Sequence, residues 1–219
     1  GTKDGLYGEG RGGWKLAEYS SPHDDVTATH MQPFSPFVQV EGYNYYGVKE
    51  FWAAIVNDNS QYTYGTNGFD KYKTWFGTDG YKLNPSTNDL MYDGTNGVYM
   101  YYNGSAWVQA SSVNDNSFAF NYRKYIELWN IDSPDFVLIM LGTNDFANGL
   151  TDSKWETWQT KMDSFIDSIQ SYASSVGKTI VIGLCTSPQA YNSPNNSDHR
   201  NPIIGHKWMY DGREKMIEH

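Results

Sequence analysis

Three stretches of this sequence predict an α/β fold: layered helices around a parallel sheet, with a small aromatic-rich β insertion. The first is Asp135–Asp145, DFVLIMLGTND, where six consecutive apolar residues, Phe136 to Leu141, end on Gly142-Thr143-Asn144-Asp145. A short unbroken apolar run closed by turn residues suits a strand buried on both faces. The second is Lys178–Cys185, KTIVIGLC, which has the same character and is separated from the first by a helical pattern. Strand, helix, strand makes one right-handed crossover with parallel strands. The third is 57–116, rich in Tyr, Asn, Gly, Asp and Trp and poor in Leu and Ile. Within it, VYMYYNGSAWVQ is two aromatic and β-branched runs joined by Asn103-Gly104, a strong hairpin signal. The expected organisation is a single α/β domain over 1–219 with a mostly antiparallel β insertion, 57–116, inside it.

Taken in order, the chain opens on a glycine-rich loop, GTKDGLYGEGRGGW, followed by a short helix from Lys15 to Tyr19. Gly8, Gly10 and Gly13 formally match G-x-G-x-x-G, but no apolar strand precedes them, so the dinucleotide reading is rejected. Such glycines do permit backbone N–H groups to face a ligand. Residues 21–45 read as loop. His23, Asp24, Asp25 and His30 fall there at a spacing that matches no standard metal site, and a polar loop explains them better. Val48, Phe51, Trp52 and Ile55 mark a short amphipathic helix over 46–56. A second helix is expected over 117–131, with Phe118, Tyr122, Tyr125, Ile126 and Trp129 on one face and Pro134 stopping it. The clearest helix begins with Ser153 and Glu156 as a capping box, carries Trp155, Trp158, Met162, Phe165, Ile166, Ile169 and Val176, and ends at Gly177. After a loop over 190–201, the last residues look helical around Trp208, Met209, Met216 and Ile217. Two parallel strands are few for a sheet covered on both faces, so the sheet reads as incomplete.

Composition narrows the function. With 18 Tyr, 8 Trp, 10 Phe and 19% charged residues, the chain is globular rather than disordered. The net charge of −9 and the absence of any Lys/Arg run argue against nucleic acid and anionic membrane surfaces as partners. No stretch approaches the ~18 apolar residues of a membrane span. The first residue is Gly1, so removal of a targeting segment is compatible with the sequence. The lone Cys185 rules out an internal disulfide, suits a small core hydrophobe and leaves the compartment open, with secreted or cell-surface slightly favoured. The oligomeric state is not legible. The insertion's aromatics, Trp107 among them, have two readings: a platform for sugar rings, or a minicore that stabilises the insertion itself, which is preferred because a small module needs large side chains.

Gly142-Thr143-Asn144-Asp145 after a VLIML strand resembles the third signature block of the SGNH (GDSL-type) hydrolases. EGRGGW followed by a short helix looks like the second block of one branch of that family. The resemblance spans about 1–40 and 115–219. It implies a flavodoxin-like three-layer sheet and a serine esterase acting on acyl or acetyl esters, those of carbohydrate included, with no metal or organic cofactor. It implies an oxyanion hole made of the Asn144 side chain and a backbone N–H of the glycine block, Gly13 first and Gly12 second. Thr143 and Asp145 would shape the loop, as Glu9 and Arg11 would theirs.

Acyl transfer also needs a nucleophile and a base. The family supplies a Ser in Gly-Asp-Ser and a His in Asp-x-x-His, and neither motif occurs here. None of His23, His30, His199, His206 and His219 has an Asp three residues before it. Asp198-His199 is the nearest approach, and adjacent side chains usually point apart. The 219 residues are therefore expected to be inactive alone, as the middle of a longer hydrolase. The competing readings are a variant that has lost the chemistry, a non-catalytic carbohydrate-binding or adhesion module on a degenerate hydrolase fold, and a structural domain of a larger assembly.

Overall fold

The computed structural model describes residues 15–23, 35–57, 73–142, 145 and 151–185. The chain clusters into two compact units: Gly1–Ala17 with Tyr125–His219, and Glu18–Lys124.

The first unit holds the crossover. Strand β7 (Phe136–Ile139) and strand β8 (Val181–Leu184) pair in parallel, with Phe136 opposite Val181 and Ile139 opposite Leu184. Helix α4 (Asp152–Ser175) connects them. Five of the seven expected stripe residues, Trp155, Trp158, Met162, Phe165 and Ile169, are buried, and Tyr172 and Ala173 join them. Ile166 is half-buried, and Val176 is the C-cap, 40% exposed, because the helix has ended before it. The cap differs from expectation. Extended Thr151 is the N-cap, and its hydroxyl accepts the Lys154 N–H at 3.2 Å. Ser153 lies inside the first turn, too late to cap it. Gly177, at φ +65°, takes the left-handed position just past the helix, where a Cβ would be disfavoured.

The expectation that β7 is buried on both faces is not met. Ile139 is buried, whereas Phe136, Leu138 and Met140 are 50%, 63% and 62% exposed, and Val181 opposite is 56% exposed. Alternation along a strand puts these side chains on one face. On that face Gly183 lies so close under Leu138 and Phe136 that a Cβ there would meet them at 3.0 and 3.1 Å. The parallel pair therefore presents one open apolar face.

The second unit is built on a four-stranded sheet in the order β2 (Asn44–Val48), β3 (Asp89–Asp93), β4 (Val98–Tyr102), β5 (Trp107–Gln109). The β3–β4–β5 meander is antiparallel, and its last hairpin turns at Asn103–Ala106, where the Asn103 Oδ1 accepts from the Ser105 and Ala106 backbones. Strand β2 joins β3 in parallel, with a register shift between Tyr45 and Val48. Gly47 within that shift has φ +89°, which stops helix from extending back through it. The helix expected from residue 46 accordingly starts at Lys49 (α2, Lys49–Val56) and keeps Phe51, Trp52 and Ile55 on its buried face. Trp52 stacks flat on Phe76 at 4.2 Å.

A small antiparallel pair, β1 (Val38–Gln39) with β6 (Ala119–Phe120), completes this unit. Phe118 does not join a helix. Asn114 caps a 3₁₀ turn, Asp115–Ser117, and the chain leaves it extended. The Phe118 ring then meets Tyr45 at 4.9 Å and Tyr99 at 5.4 Å. Helix α3 follows as Tyr122–Trp129, and the unit boundary falls inside it after Lys124.

Two buried carboxylates of the second unit are paired. Asp89, 1% exposed, accepts from Lys82 Nζ at 2.6 Å and Ser86 N at 2.8 Å. Asp93, 4% exposed, accepts from Lys49 Nζ at 2.9 Å and from the Asn96 backbone and side-chain amides at 3.2 and 2.9 Å. Burial alone pushes the Asp93 carboxyl upward. The Lys49 and Asn96 hydrogen bonds, with the Lys49 charge, outweigh that and hold it at about 2, below the ordinary 3.8. A depressed carboxylate contributes stability that is present above its unfolded value and is lost as pH falls through its folded value. Asp93 is thus expected to destabilise the second unit as pH falls from about 4 to about 2. Urea midpoints measured across that window should fall more steeply for the wild type than for Asp93→Asn. Parallel curves would remove Asp93 from the acid response.

Candidate functional site

Beyond β7 the chain runs through Met140 and Leu141 to Gly142, which is buried at φ +116°, a conformation that favours glycine. The Cys185 N–H donates to the Ile139 carbonyl at 2.8 Å, so the carboxyl ends of β7 and β8 lie side by side. In open parallel sheets this end is where ligands bind.

The short helix α1 (Leu16–Tyr19) contacts Asp145, six residues beyond β7. Its first residue, Leu16, is fully buried and donates its backbone N–H to Asp145 Oδ1 at 3.0 Å across 129 positions. The first amides of any helix lack internal acceptors, and neither Trp14 nor Lys15 before Leu16 is a capping residue. The carboxylate supplies the missing acceptor with charge assistance. The resemblance gave Asp145 only a loop-shaping role and did not find its partner. The signal available in the sequence was a helix start without a cap.

Gly12, Gly13, Thr143 and Asn144 lie outside the described residues, as do Asp24, Asp25, His30, Ser187, Asp198, His199, His206 and His219. The contact described there is that of Leu16, two residues past Trp14, with Asp145. Among the described residues no cluster of His, Cys, Asp or Glu could hold a metal ion. Cys185 is a free, half-buried thiol.

His23 belongs to the second unit. Its ring lies flat on Tyr92, centroids 4.1 Å apart, and its Nε2 stands 3.5 Å from Asp115 Oδ1. The Tyr99 hydroxyl donates to the same carboxylate oxygen at 2.6 Å. Burial first, then Tyr45 and Asp115, push the Tyr99 phenol well up, so it stays protonated as that donor. An Asp–His contact across 92 positions carries no spacing signature, which is why only local pairs were visible in the sequence. Here the ring face is occupied by Tyr92, and the contact clamps residue 23 to the sheet.

Trp107 is half-buried and meets Tyr81 at 4.9 Å and Tyr102 at 5.8 Å. The Tyr81 hydroxyl reaches Asp93 at 3.4 Å. The rings thus pack on one another within the second unit.

A parallel strand pair connected by one long helix defines an α/β protein. The model of the GDSL-like lipase/acylhydrolase family matches residues 40–207, more than half of the chain, and the chain belongs to that family. The match includes Asn144 and runs through the aromatic insertion. It begins after Gly12 and Gly13. No curated protein matches the chain, and no solved structure matches it. The family carries the SGNH α/β fold, and no helix among the described residues is long and apolar enough to cross a membrane.

Proposed function

We propose that this chain is the oxyanion-binding core of a serine esterase that cleaves acyl or acetyl esters, those of carbohydrate included. The observation that supports it most directly is the Leu16–Asp145 hydrogen bond, because Leu16 follows the glycine sequence closely and Asp145 is the last residue of Gly142-Thr143-Asn144-Asp145. In the proposed reaction a serine hydroxyl attacks the ester carbonyl and its proton passes to a base. The resulting oxyanion accepts hydrogen bonds from the Gly13 N–H and the Asn144 side-chain amide. Collapse returns the proton to the departing alcohol and leaves an acyl-serine. Water then repeats the sequence and releases the carboxylic acid.

The nucleophile and base are not among the motifs of these 219 residues. The 219-residue chain expressed alone is accordingly expected to give neither 4-nitrophenyl acetate turnover nor a fluorophosphonate adduct. The protein expressed from its own gene is expected to give both. Turnover by the 219-residue chain that disappears in Asn144→Ala would instead locate the nucleophile within it. Absence of turnover and adduct from both would count against the esterase.

The second reading, glycan binding without catalysis, draws on the half-buried ring faces of Tyr81, Tyr102 and Trp107. Retention on acetylated xylan that survives Asn144→Ala but is lost in Trp107→Ala would favour it.

A further inference from the structure

We propose that Asn103 is a site of spontaneous covalent modification. The Gly104 backbone nitrogen closes onto its side-chain amide, ammonia leaves, and the succinimide opens to aspartate and isoaspartate. This inference is independent of the esterase reading.

Glycine follows Asn67, Asn96, Asn103 and Asn148, and the structure describes the pairs Asn96-Gly97 and Asn103-Gly104. A glycine nitrogen has no Cβ beside it, so its attack on the preceding side chain is the least hindered. Sterics do not separate the two described pairs. All four residues are exposed, with Gly97 at φ +67° and Gly104 at φ +98°. Hydrogen bonding separates them.

At Asn96 both reacting groups are engaged. The Gly97 N–H donates to the Asp93 carbonyl at 2.8 Å, and Asn96 Nδ2 donates to Asp93 Oδ2 at 2.9 Å. Asp93 is 4% exposed and paired with Lys49, so its position is fixed. Ring closure at Asn96 therefore costs two hydrogen bonds. At Asn103 the Gly104 N–H has no acceptor among the described residues. The Asn103 Oδ1 accepts from the Ser105 N–H at 2.9 Å, the Ser105 hydroxyl at 2.9 Å and the Ala106 N–H at 3.0 Å. These donors draw electron density from the amide carbon. They also stand where negative charge develops as the nitrogen adds, as oxyanion donors do in acyl transfer.

The step balances with water alone. The Gly104 nitrogen bonds to Asn103 Cγ and gives its proton to solvent. The Cγ–Nδ2 bond breaks, and Nδ2 leaves as ammonia with a proton from water. Water then opens the cyclic imide at either carbonyl. One opening restores the ordinary chain with aspartate. The other routes the main chain through the side-chain carboxyl and lengthens the turn between Tyr102 and Trp107, which are paired across β4 and β5.

The test incubates the protein expressed from its own gene in mildly alkaline buffer, folded and in urea. Fragmentation mass spectrometry reads Asn96 and Asn103 separately, and isoaspartyl methyltransferase labels the isoaspartate. In the folded protein Asn103 is expected to convert about thirtyfold faster than Asn96, the cost of two ordinary hydrogen bonds. In urea the two should convert at similar rates. Ser105→Ala, which removes one donor, should slow Asn103 about threefold to tenfold. Equal rates at the two sites in the folded protein overturn the proposal. So does an Asn103 that stays intact when folded yet converts in urea, because the turn then protects it. Aspartate without isoaspartate overturns the succinimide route, and a wild-type rate in Ser105→Ala overturns the role of the turn's donors. The two-site comparison uses the unaltered protein, so it stands however the variant folds.

Discussion

Asn144→Ala is expected to lower kcat for ester hydrolysis by about 10²–10³, with KM close to the wild-type value. The reason lies in when the charge appears. The carbonyl oxygen of a bound ester carries little negative charge, whereas the tetrahedral oxyanion carries a full one. A donor aimed at the oxyanion therefore contributes mainly in the transition state, and its loss appears in kcat rather than in KM. Asn144→Asp should be at least as damaging, because it replaces the donor with an anionic acceptor. Steady-state kinetics on the protein expressed from its own gene decide the matter. A raised KM with unchanged kcat would make Asn144 a ground-state contact, and unchanged kinetics would take it out of the reaction.

Gly80→Ala is expected to destabilise the second unit by about 2–5 kcal/mol, combining a left-handed backbone with overpacking. Gly80 sits at φ +84°, and a Cβ there would lie 1.9 Å from the Lys49 carbonyl oxygen and 3.0 Å from Ala53 N. Both contacts are to the backbone of α2 and cannot rotate away. Relief requires the 77–81 turn to lift off the helix. That would break the Asn57 Nδ2 bond to the Thr78 carbonyl and pull the Tyr81 hydroxyl from Asp93. The control is Gly97→Ala, where φ is +67° but nothing lies within 4 Å of the new Cβ. Only the conformational part remains there, about 1 kcal/mol. Urea unfolding followed by tryptophan fluorescence should give a much lower midpoint for Gly80→Ala than for Gly97→Ala. Equal midpoints would mean that the turn moves off α2 at little cost.

Elements whose signal is local were legible in the sequence. The strands β7 and β8, the Asn103-Gly104 hairpin and most of the α4 stripe each follow from local periodicity or turn chemistry, and all are present. Elements decided at a distance were not. Tyr45 reads as the end of a loop and Tyr46 as the start of a helix until β3 offers this segment a parallel partner. Phe118 fits one face of a helix until Tyr45 and Tyr99 offer it a pocket. Thr151 takes the place of Ser153 as the cap because the helix starts two residues earlier than the capping-box pattern indicates. At the site, GTND could be read as a block because its residues are contiguous. Its bond to α1 could not, because a backbone N–H has no letter in the sequence.

Phe37 has a consequence for the order in which the chain folds. Its ring stands 6.0 Å from Tyr19 and 6.4 Å from Tyr122, so it gathers the first and last residues of the second unit around one side chain. The second unit is contiguous, whereas the first is assembled from both sides of it. Closing the Leu16–Asp145 contact from an open chain means ordering a loop of 129 residues. Once Tyr19, Phe37 and Tyr122 have met, most of that loop is bypassed, which is worth about two halvings of its length, or about 1 kcal/mol of closure entropy. The middle of the chain should therefore fold ahead of its flanks, and weakening the Phe37 cluster should delay formation of the Leu16–Asp145 contact more than it slows formation of the β2–β5 sheet.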